Sequence, residues 1–271
     1  GCFLVDKGRF SGLFANPNSV GLLASIVVPL GLWSTLCARN KVTPYLLLVV
    51  GVSLLLSASR AGILGTAIGA GYFLALYYRQ RKVLLITGVA FFLGCLFLLM
   101  QFFNSSFAGE YFRWDSFWSG SGRAEAWKEV LRLIKARPWF GYGFGTEDYL
   151  FFKFDIVFLE HAGASAHNSY IGVASQLGLI GAFLFFTPLF FFFGRRLYQV
   201  NPMLGEGTGI QLALNASLLG ALVNAVFESW LVSAGSCFSF PFWILVVLAY
   251  RLSSSTPRDA RTPSSRAPEI K

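Results

Sequence analysis

The stretch "GASAHNSYIGVASQLGLIGAFLFF", residues 163–186, places a histidine and an asparagine directly before a run of apolar residues. About 20 predominantly apolar residues are enough to cross the hydrocarbon core of a bilayer as an α-helix. The run that follows His167 and Asn168 is therefore long enough to span a membrane. The chain has only two histidines, so the position of His167 at the mouth of this segment suggests a chemical role.

The composition of the whole chain supports a membrane protein. Of its 271 residues, 55% are hydrophobic, 17% aromatic and only 13% charged, and the mean hydropathy is +0.60. Soluble and disordered proteins carry more charge than this. We therefore predict an all-α fold: a polytopic transmembrane helix bundle with one long, partly helical extracytoplasmic loop and the lipid bilayer as a partner.

The length rule gives seven candidate spans in a membrane domain that covers residues 1–251. The second and third are short and meet near Arg60, so they form either a tight helical hairpin or one interrupted hydrophobic element. The chain begins "GCFLVDKGRF", without an initiator Met or a signal-peptide pattern, and we interpret it as a fragment lacking N-terminal spans. The candidate spans are approximately 19–37, 43–59, 61–78, 83–103, 168–194, 209–228 and 236–251.

The basic residues predict the orientation of these spans. Lys and Arg concentrate in short cytoplasmic loops, and a single alternating assignment places the basic connections on one side. The tail 252–271, rich in Ser, Pro and Arg, is predicted to be disordered and cytoplasmic. The net charge of +9 thus arises between spans, and we expect no nucleic-acid partner. The residues on the predicted cytoplasmic side are Arg39, Lys41, Arg79, Arg81, Lys82, Arg195, Arg196, Arg251, Arg258, Arg261, Arg266 and Lys271.

The opposite, extracytoplasmic face then collects residues that are far apart in the sequence. Arg9, the Arg60 corner, the long loop 104–166 with Arg123, and His167 all fall on this side. The charge rule that places them there takes no account of their chemistry. A single site on the outer face becomes geometrically possible, although one shared face still permits large lateral separations.

The loop 104–166 carries seven basic and eight acidic residues, so it must face water or a polar cavity. Its stretch "SGRAEAWKEVLRLIKARPWFGYGFG", residues 121–145, predicts a helix that starts at Ser121 or Gly122 and ends at Pro138. The helix either lies on the membrane or packs over the bundle, and we favour packing. The apolar residues that recur at helical spacing are Trp127, Val130, Leu131 and Ile134.

Two features of this stretch bear on ligand binding. Arg123 lies in the first turn, where a cation opposes the helix dipole, so it either binds an external anion, is exposed, or pairs with Glu125 or Glu129. The glycines of "GYGFGT" follow a helix and a proline and lack a Lys-Ser/Thr ending. They therefore indicate a turn rather than a phosphate-binding loop.

Three stretches together resemble the bacterial O-antigen ligase and polymerase family. They are "GRFSGLFANPNSVGLLASIVVPL", "SASRAGILG", and the pair formed by "SGRAEAWKEVLRLIKARPWFGYGFG" and "AHNSYIGVASQLGLIGAFLF". Each is weak alone, and their order and separation carry the resemblance, which covers most of the chain. It implies a membrane enzyme that moves glycans from an undecaprenyl diphosphate carrier.

The resemblance and the chemistry of the side chains together suggest roles. An imidazole titrates near pH 6.5, so His167, in the "HN" motif, is the proposed general base. Arg60 and Arg123 are the first choices for stabilising the leaving diphosphate, because guanidinium groups bind phosphate oxygens through paired donors. The competing bases are His161, Glu160 and Asp155, and the proposed substrate-binding residues are Arg9, Asn16 and Asn168.

No paired carboxylates resembling a DxD motif lie beside these residues, and the four cysteines lack ligand spacing. We expect no metal and no other cofactor. The resemblance implies transfer of a glycan to a lipid or glycan acceptor such as lipid A-core, at the outer face of the bacterial inner membrane, and we expect a direct displacement with inversion. A polymerase that joins carrier-linked repeat units and a membrane solute transporter are the alternatives.

Overall fold

The computed structural model describes residues 4–5, 9–14, 16–78, 123–154, 156, 166–199, 206–232 and 238–254. These residues are mostly helical, as predicted, and a short antiparallel sheet pairs Leu4 with Phe10 and Val5 with Arg9. The predicted span 83–103 lies outside the described residues. The elements are β1 (Leu4–Val5), β2 (Arg9–Phe10), α1 (Pro17–Leu36), α2 (Thr43–Ser57), α3 (Arg60–Tyr77), α4 (Arg123–Ala136), α5 (Glu147–Lys153), α6 (Ser169–Gln199), α7 (Glu206–Asn224) and α8 (Ser239–Ser254).

The Arg60 corner separates two helices. At the end of α2, Ala58 adopts the left-handed conformation with φ 48°. Ser59 then caps α3, since its Oγ accepts a hydrogen bond from the backbone N–H of Gly62 at 3.3 Å. The second and third apolar segments are therefore two helices joined by a two-residue corner, and both pack against α1.

Close contacts between small residues hold α1, α3 and α7 together. A Cβ added to Gly62 in α3 would overlap the backbone of Gly21 in α1. A Cβ added to Gly65 would lie 2.6 Å from the carbonyl oxygen of Gly220 in α7. Such close backbone approach through small residues is typical of helix packing in membranes, where the hydrophobic effect does not drive helices together.

The main apolar core lies between α1, α6, α7 and α8. Aromatic side chains form much of it: the ring of Trp230 packs edge-on against that of Phe242, with centroids 5.4 Å apart. This core fixes the ends of α6 and α7 relative to each other. Its fully buried aliphatic and aromatic members include Leu22, Val173, Leu214, Leu218, Ala221, Leu231, Phe242 and Ala249.

The helix α6 is interrupted at Gly178, which has φ 70° and ψ 179°. The loop before α5 fills the break with backbone hydrogen bonds. On the N-terminal side of the break, the carbonyl oxygen of Gln176 accepts from the N–H groups of Tyr142 and Gly143, at 3.1 and 2.8 Å. On its C-terminal side, the N–H of Leu179 donates to the carbonyl oxygen of Pro138 at 2.7 Å. The backbone groups freed by the break are thereby satisfied.

The glycines of this loop form turns, as the sequence predicts. Gly141, Gly143 and Gly145 have φ values of 64°, 111° and 77°. A Cβ on Gly141 would lie 2.5 Å from the carbonyl oxygen of Gln176. Glycine at this position therefore permits both the turn and the close approach to α6.

The predicted helix of the long loop is α4, and it packs on the bundle. Ala126, Val130 and Ile134 contact a cluster that includes Ile171 and Ala174 of α6. The prediction was wrong for Leu131, which is exposed, whereas Leu133 is buried. The buried stripe of α4 consists of Ala126, Val130, Leu133 and Ile134, and Leu131 lies outside it. The predicted starts at 121 and 122 lie outside the described residues.

Within the described ranges, two helices are long and apolar enough to cross a membrane by length and composition: α1 and the part Ser169–Arg196 of α6. Three shorter apolar helices accompany them, namely Thr43–Ser57, Gly209–Asn224 and Ser239–Leu252. The count of seven spans stays a prediction.

The C-terminal helix requires one correction. The sequence predicted a disordered tail from residue 252, but α8 continues to Ser254. Leu252 packs against the apolar core, and its carbonyl oxygen accepts a hydrogen bond from Gln211 Nε2 at 3.0 Å. These contacts extend the helix beyond the apolar run. The rest of the tail lies outside the part of the chain that the structure describes.

Candidate functional site

A carboxylate that follows α7 joins residues from four parts of the chain. Glu228 Oε1 accepts hydrogen bonds from Arg123 Nη2 at 2.7 Å and from Asn18 Nδ2 at 2.8 Å. Glu228 Oε2 lies 3.7 Å from Nδ1 of His167. Arg123 begins α4, Asn18 lies in the first turn of α1, and His167 precedes α6. Glu228 is therefore the centre of the candidate site.

Arg9 extends this network towards the Arg60 corner. Its buried guanidinium donates from Nη2 to Asn18 Oδ1 and from Nε to the carbonyl oxygen of Ser57, both at 2.9 Å. Asn18 thus bridges Arg9 and Glu228. Arg60 is the first residue of α3 and follows Ser57 by three positions. Arg9 therefore ties the corner that carries Arg60 to the start of α1.

The backbone of His167 is held in an unusual conformation. Its φ is 45°, in the left-handed region that non-glycine residues rarely occupy. On one side, the N–H of Ala166 donates to Glu147 Oε1 at 2.6 Å. On the other, the N–H of Asn168 donates to Ser229 Oγ at 3.1 Å. These two hydrogen bonds offset a backbone cost of about 1 kcal/mol and aim the imidazole at Glu228.

A second network fixes the segment that carries Glu228. Ser169 Oγ donates to the carbonyl oxygen of Glu228 at 2.7 Å and accepts from the N–H groups of Trp230 and Leu231, at 3.1 and 3.2 Å. The N–H of Ser169 donates to the carbonyl oxygen of Ala225 at 2.9 Å. The first residue of α6 therefore organises the turn after α7, so that Glu228 and His167 are positioned by the same helix end.

Glu147, the first residue of α5, helps to hold the backbone around His167. Its Oε1 accepts from the Ala166 N–H and, at 3.3 Å, from the hydroxyl of Ser229. Its Oε2 accepts from Gln176 Nε2 at 3.3 Å. The carboxylate also lies against Gly172 of α6, where a Cβ would approach Oε2 to 3.2 Å. Glu147 thus connects α5 and α6 to the residues on both sides of His167.

The two asparagines predicted to bind substrate serve as helix caps. Asn16 Oδ1 accepts from the N–H of Asn18 at the start of α1, at 2.9 Å. Asn168 Oδ1 accepts from the N–H groups of Tyr170 and Ile171 at the start of α6, at 2.9 and 3.2 Å. Capping side chains satisfy backbone donors that a helix leaves unpaired. The oxygens of both side chains are thereby occupied by the fold.

The two arginines of the site differ in how they are held. Arg123 donates directly to Glu228, whereas Arg9 reaches this carboxylate only through Asn18. Nε of Arg123 is buried and makes no hydrogen bond within the described structure, and the same holds for Nε1 of Trp127 one turn later. Buried donors of this kind are costly unless a partner satisfies them.

Most of this arrangement could not be read from the sequence. The sequence placed Arg9, Arg123 and His167 on one face, and the structure brings them together through Asn18 and Glu228. Arg123 pairs with Glu228 rather than with Glu125 or Glu129. The signal for Glu228 was a lone carboxylate at the end of an apolar segment. The competing bases Asp155, Glu160 and His161 lie outside the described residues.

Comparison with known proteins gives one family. No curated protein matches the sequence. The family model described as O-antigen ligase matches residues 44–186, which is more than half of the chain and includes Arg60, Arg123 and His167. The resemblance inferred from the sequence motifs is thereby confirmed. The chain belongs to the O-antigen ligase family, whose members are membrane-integral enzymes that transfer glycans in lipopolysaccharide biosynthesis.

Proposed function

We propose that this protein moves a preassembled glycan from an undecaprenyl diphosphate carrier to an acceptor such as lipid A-core, at the outer face of the bacterial inner membrane. The observation that carries this proposal is the convergence of Arg123 and His167 on Glu228. A cation for the leaving group and a base for the acceptor hydroxyl then lie on two sides of one carboxylate. A polytopic bundle, with α1, α2, α3, α6, α7 and α8 as spans, would hold them at the membrane surface.

His167 is the proposed general base. With Nδ1 facing Glu228, the carboxylate stabilises the tautomer that carries its proton on Nδ1, which leaves Nε2 as the acceptor. The distance of 3.7 Å exceeds hydrogen-bond length, and a shift of less than about 1 Å would close it. Catalytic hydrogen bonds are often longer in the free enzyme than in the substrate complex. Glu228 is thus a positioning residue for His167.

The reaction follows from these roles. The oxygen of the acceptor hydroxyl forms a bond to the anomeric carbon of the donor sugar, while the bond from that carbon to the diphosphate oxygen breaks. The hydroxyl proton moves to Nε2 of His167, and the diphosphate leaves with the electron pair. A single displacement of this kind inverts the configuration at the anomeric carbon.

The arginines supply the positive charge that the leaving diphosphate requires. Preorganised cations stabilise charge where it develops in the transition state. Arg123 has a buried Nε that faces no protein acceptor in the described structure, and its Nη2 holds the guanidinium on Glu228. Arg60 is the second proposed diphosphate ligand. Arg9 donates to Ser57 and Asn18, so we assign it a positioning role, and no metal or other cofactor enters the proposed mechanism.

The two capping asparagines retain a narrower part in this proposal. Because Oδ1 of Asn16 and of Asn168 already accepts from helix N–H groups, we assign the contacts with substrate to their Nδ2 groups. Asn168 lies beside the proposed base, and donation from its Nδ2 to a sugar hydroxyl would orient the acceptor. The capping hydrogen bonds support this role, because they fix the plane of the amide and thus the direction of Nδ2.

The test is glycan transfer by the full-length protein in a strain that lacks its own ligase. Wild type is compared with His167→Ala, and with His161→Ala as the matched histidine control, at equal membrane abundance. We expect loss of transfer only with His167→Ala. Equal transfer by all three would remove histidine from the mechanism. If wild type transfers no glycan but extends carrier-linked repeat units, the protein is a polymerase.

A further inference from the structure

A group of large aromatic side chains around α5 is exposed. Phe140 is 78% exposed, Phe144 60% and Phe152 86%. Such a concentration of exposed apolar surface is uncommon on a protein face that meets only water. We define the aromatic surface as the side chains of Trp139, Phe140, Phe144, Tyr149, Phe152 and Phe154.

The attachment of this surface to α6 fixes its position along the axis of that helix. The loop 138–145 is bonded to α6 at the Gly178 break, where Pro138 receives the N–H of Leu179. On the N-terminal side of the break, α6 is largely covered by α4, α5 and the core. An exposed apolar face begins on its C-terminal side and comprises Leu179, Ile180, Phe183, Leu184, Phe190 and Phe191. The aromatic surface therefore borders the N-terminal end of that face.

The length of this apolar part of α6 matches a bilayer. Residues 179–196 rise about 27 Å at 1.5 Å per residue, which is close to the hydrocarbon thickness of about 30 Å. Arg195 and Arg196 mark its far end. In a membrane-integral protein, the near end of such a segment lies at the boundary between the acyl chains and the lipid headgroups.

The chemistry of the aromatic surface fits that boundary. Trp and Tyr side chains concentrate where lipid headgroups meet acyl chains, and elements that lie in this interface bury Phe side chains into the acyl boundary. Lys153 lies over the rings of Tyr149 and Phe154, at 5.7 and 6.0 Å from their centroids. A lysine next to aromatic rings can keep its ammonium group among anionic headgroups while its stem covers apolar surface.

We propose that the aromatic surface docks onto the lipid bilayer, with Phe140, Phe144 and Phe152 inserted below the headgroups. The segment from Trp139 to Phe154 is then a membrane-surface anchor rather than a water-exposed loop. Because Glu147 belongs to the same segment and contacts the Ala166 N–H, the anchor is connected to the residue before His167. The proposal concerns a surface outside the Glu228 cluster and does not depend on the reaction proposed above.

The test uses nitroxide labels on the full-length protein in mixed vesicles of phosphatidylethanolamine and phosphatidylglycerol. After replacement of the native cysteines by alanine, single cysteines are introduced as Phe140→Cys, Phe144→Cys or Phe152→Cys. Arg132→Cys is the matched control, because its side chain is 83% exposed on α4. Leu184→Cys, on the exposed face of α6, is the reference for lipid. Power saturation compares collisions with oxygen, which dissolves in lipid, and with a water-soluble nickel chelate.

We expect the ratio of oxygen to nickel accessibility at positions 140, 144 and 152 to exceed that at 132 several-fold and to approach that at 184. All of these positions are exposed, so labelling does not disturb the core. Ratios at the three positions equal to that at 132 would overturn the proposal and leave the surface for a protein partner. A label at 184 that resembles the one at 132 would overturn it as well, because the bilayer would not begin at Leu179.

Discussion

Replacing Glu228 by glutamine tests the proposed site most directly. The change keeps the shape of the side chain and removes its charge. The amide oxygen of the variant would still accept from Arg123 and Asn18, so the contacts that hold α1 and α4 are retained. The amide nitrogen would then face Nδ1 of His167 as a donor. The imidazole must accept there, which moves its proton to Nε2 and removes the proposed base.

The structure sets the size of the effect. A positioned general base contributes about 10²- to 10⁴-fold to rate. Because the 3.7 Å separation between Glu228 and His167 is long for a hydrogen bond, we expect the lower value for Glu228→Gln. A loss of about 100-fold corresponds to about 2.7 kcal/mol in the activation free energy. The side chains of Arg123 and Glu228 are 19% and 12% exposed, so water screens their charges only partly, and losing the charge of their hydrogen bond should lower stability by about 1–3 kcal/mol.

The assay is the initial rate of glycan transfer in membranes, with the thermal unfolding midpoint of the purified protein measured in parallel. Glu129→Gln is the matched control, since Glu129 makes an exposed pair with Arg132 at 3.6 Å. We expect Glu129→Gln to retain the wild-type rate. Wild-type rates with Glu228→Gln would refute the role of Glu228. A fall in rate accompanied by a large fall in unfolding temperature would show that Glu228 only stabilises the fold.

Three further outcomes are expected. Arg123→Lys should lower the transfer rate about tenfold, because a lysine cannot bind Glu228 and phosphate through one planar group, whereas Arg132→Lys should not change it in the same assay. Glu147→Gln places an amide donor among the three donors around the carboxylate and should cost about 1–3 kcal/mol, measured as a lower unfolding midpoint; an unchanged midpoint would contradict the network described. Gly62→Ala should destabilise by about 1–3 kcal/mol through overlap with α1, while Gly71→Ala, with open space around it, should be neutral or stabilising; equal midpoints for the two variants would disprove the close packing of α1 and α3.

The sequence predicted the helical fold well because apolar length and turn residues are local signals. The helices α1 and α3 begin at Pro17 and Arg60, within two residues of the starts of the predicted apolar segments 19–37 and 61–78. The boundary at residue 252 failed because a tertiary contact, the hydrogen bond from Gln211, extends α8. The exposure of Leu131 likewise depends on which side of α4 meets α6, which helical periodicity alone does not determine.

The candidate site was only half predictable for a related reason. His167 and Arg123 stand out by residue type and by motif, so the sequence could name them. Their partner Glu228 lies 61 positions after His167, and no local pattern links the two. Glu147 accepts a hydrogen bond from the Ala166 N–H, and the segment of sequence between them includes residues outside the described part of the chain. Partnerships of this kind arise from the arrangement of whole helices.

The break at Gly178 divides α6 into two helical halves. Its φ of 70° and ψ of 179° lie in a region that only glycine occupies at low cost, so a bend concentrates there. The loop 138–145 is hydrogen-bonded to Gln176 before the break and to Leu179 after it, so it holds the two halves at a fixed angle. Because Glu147 follows this loop and accepts from the Ala166 N–H, the angle between the halves is linked to the backbone next to His167.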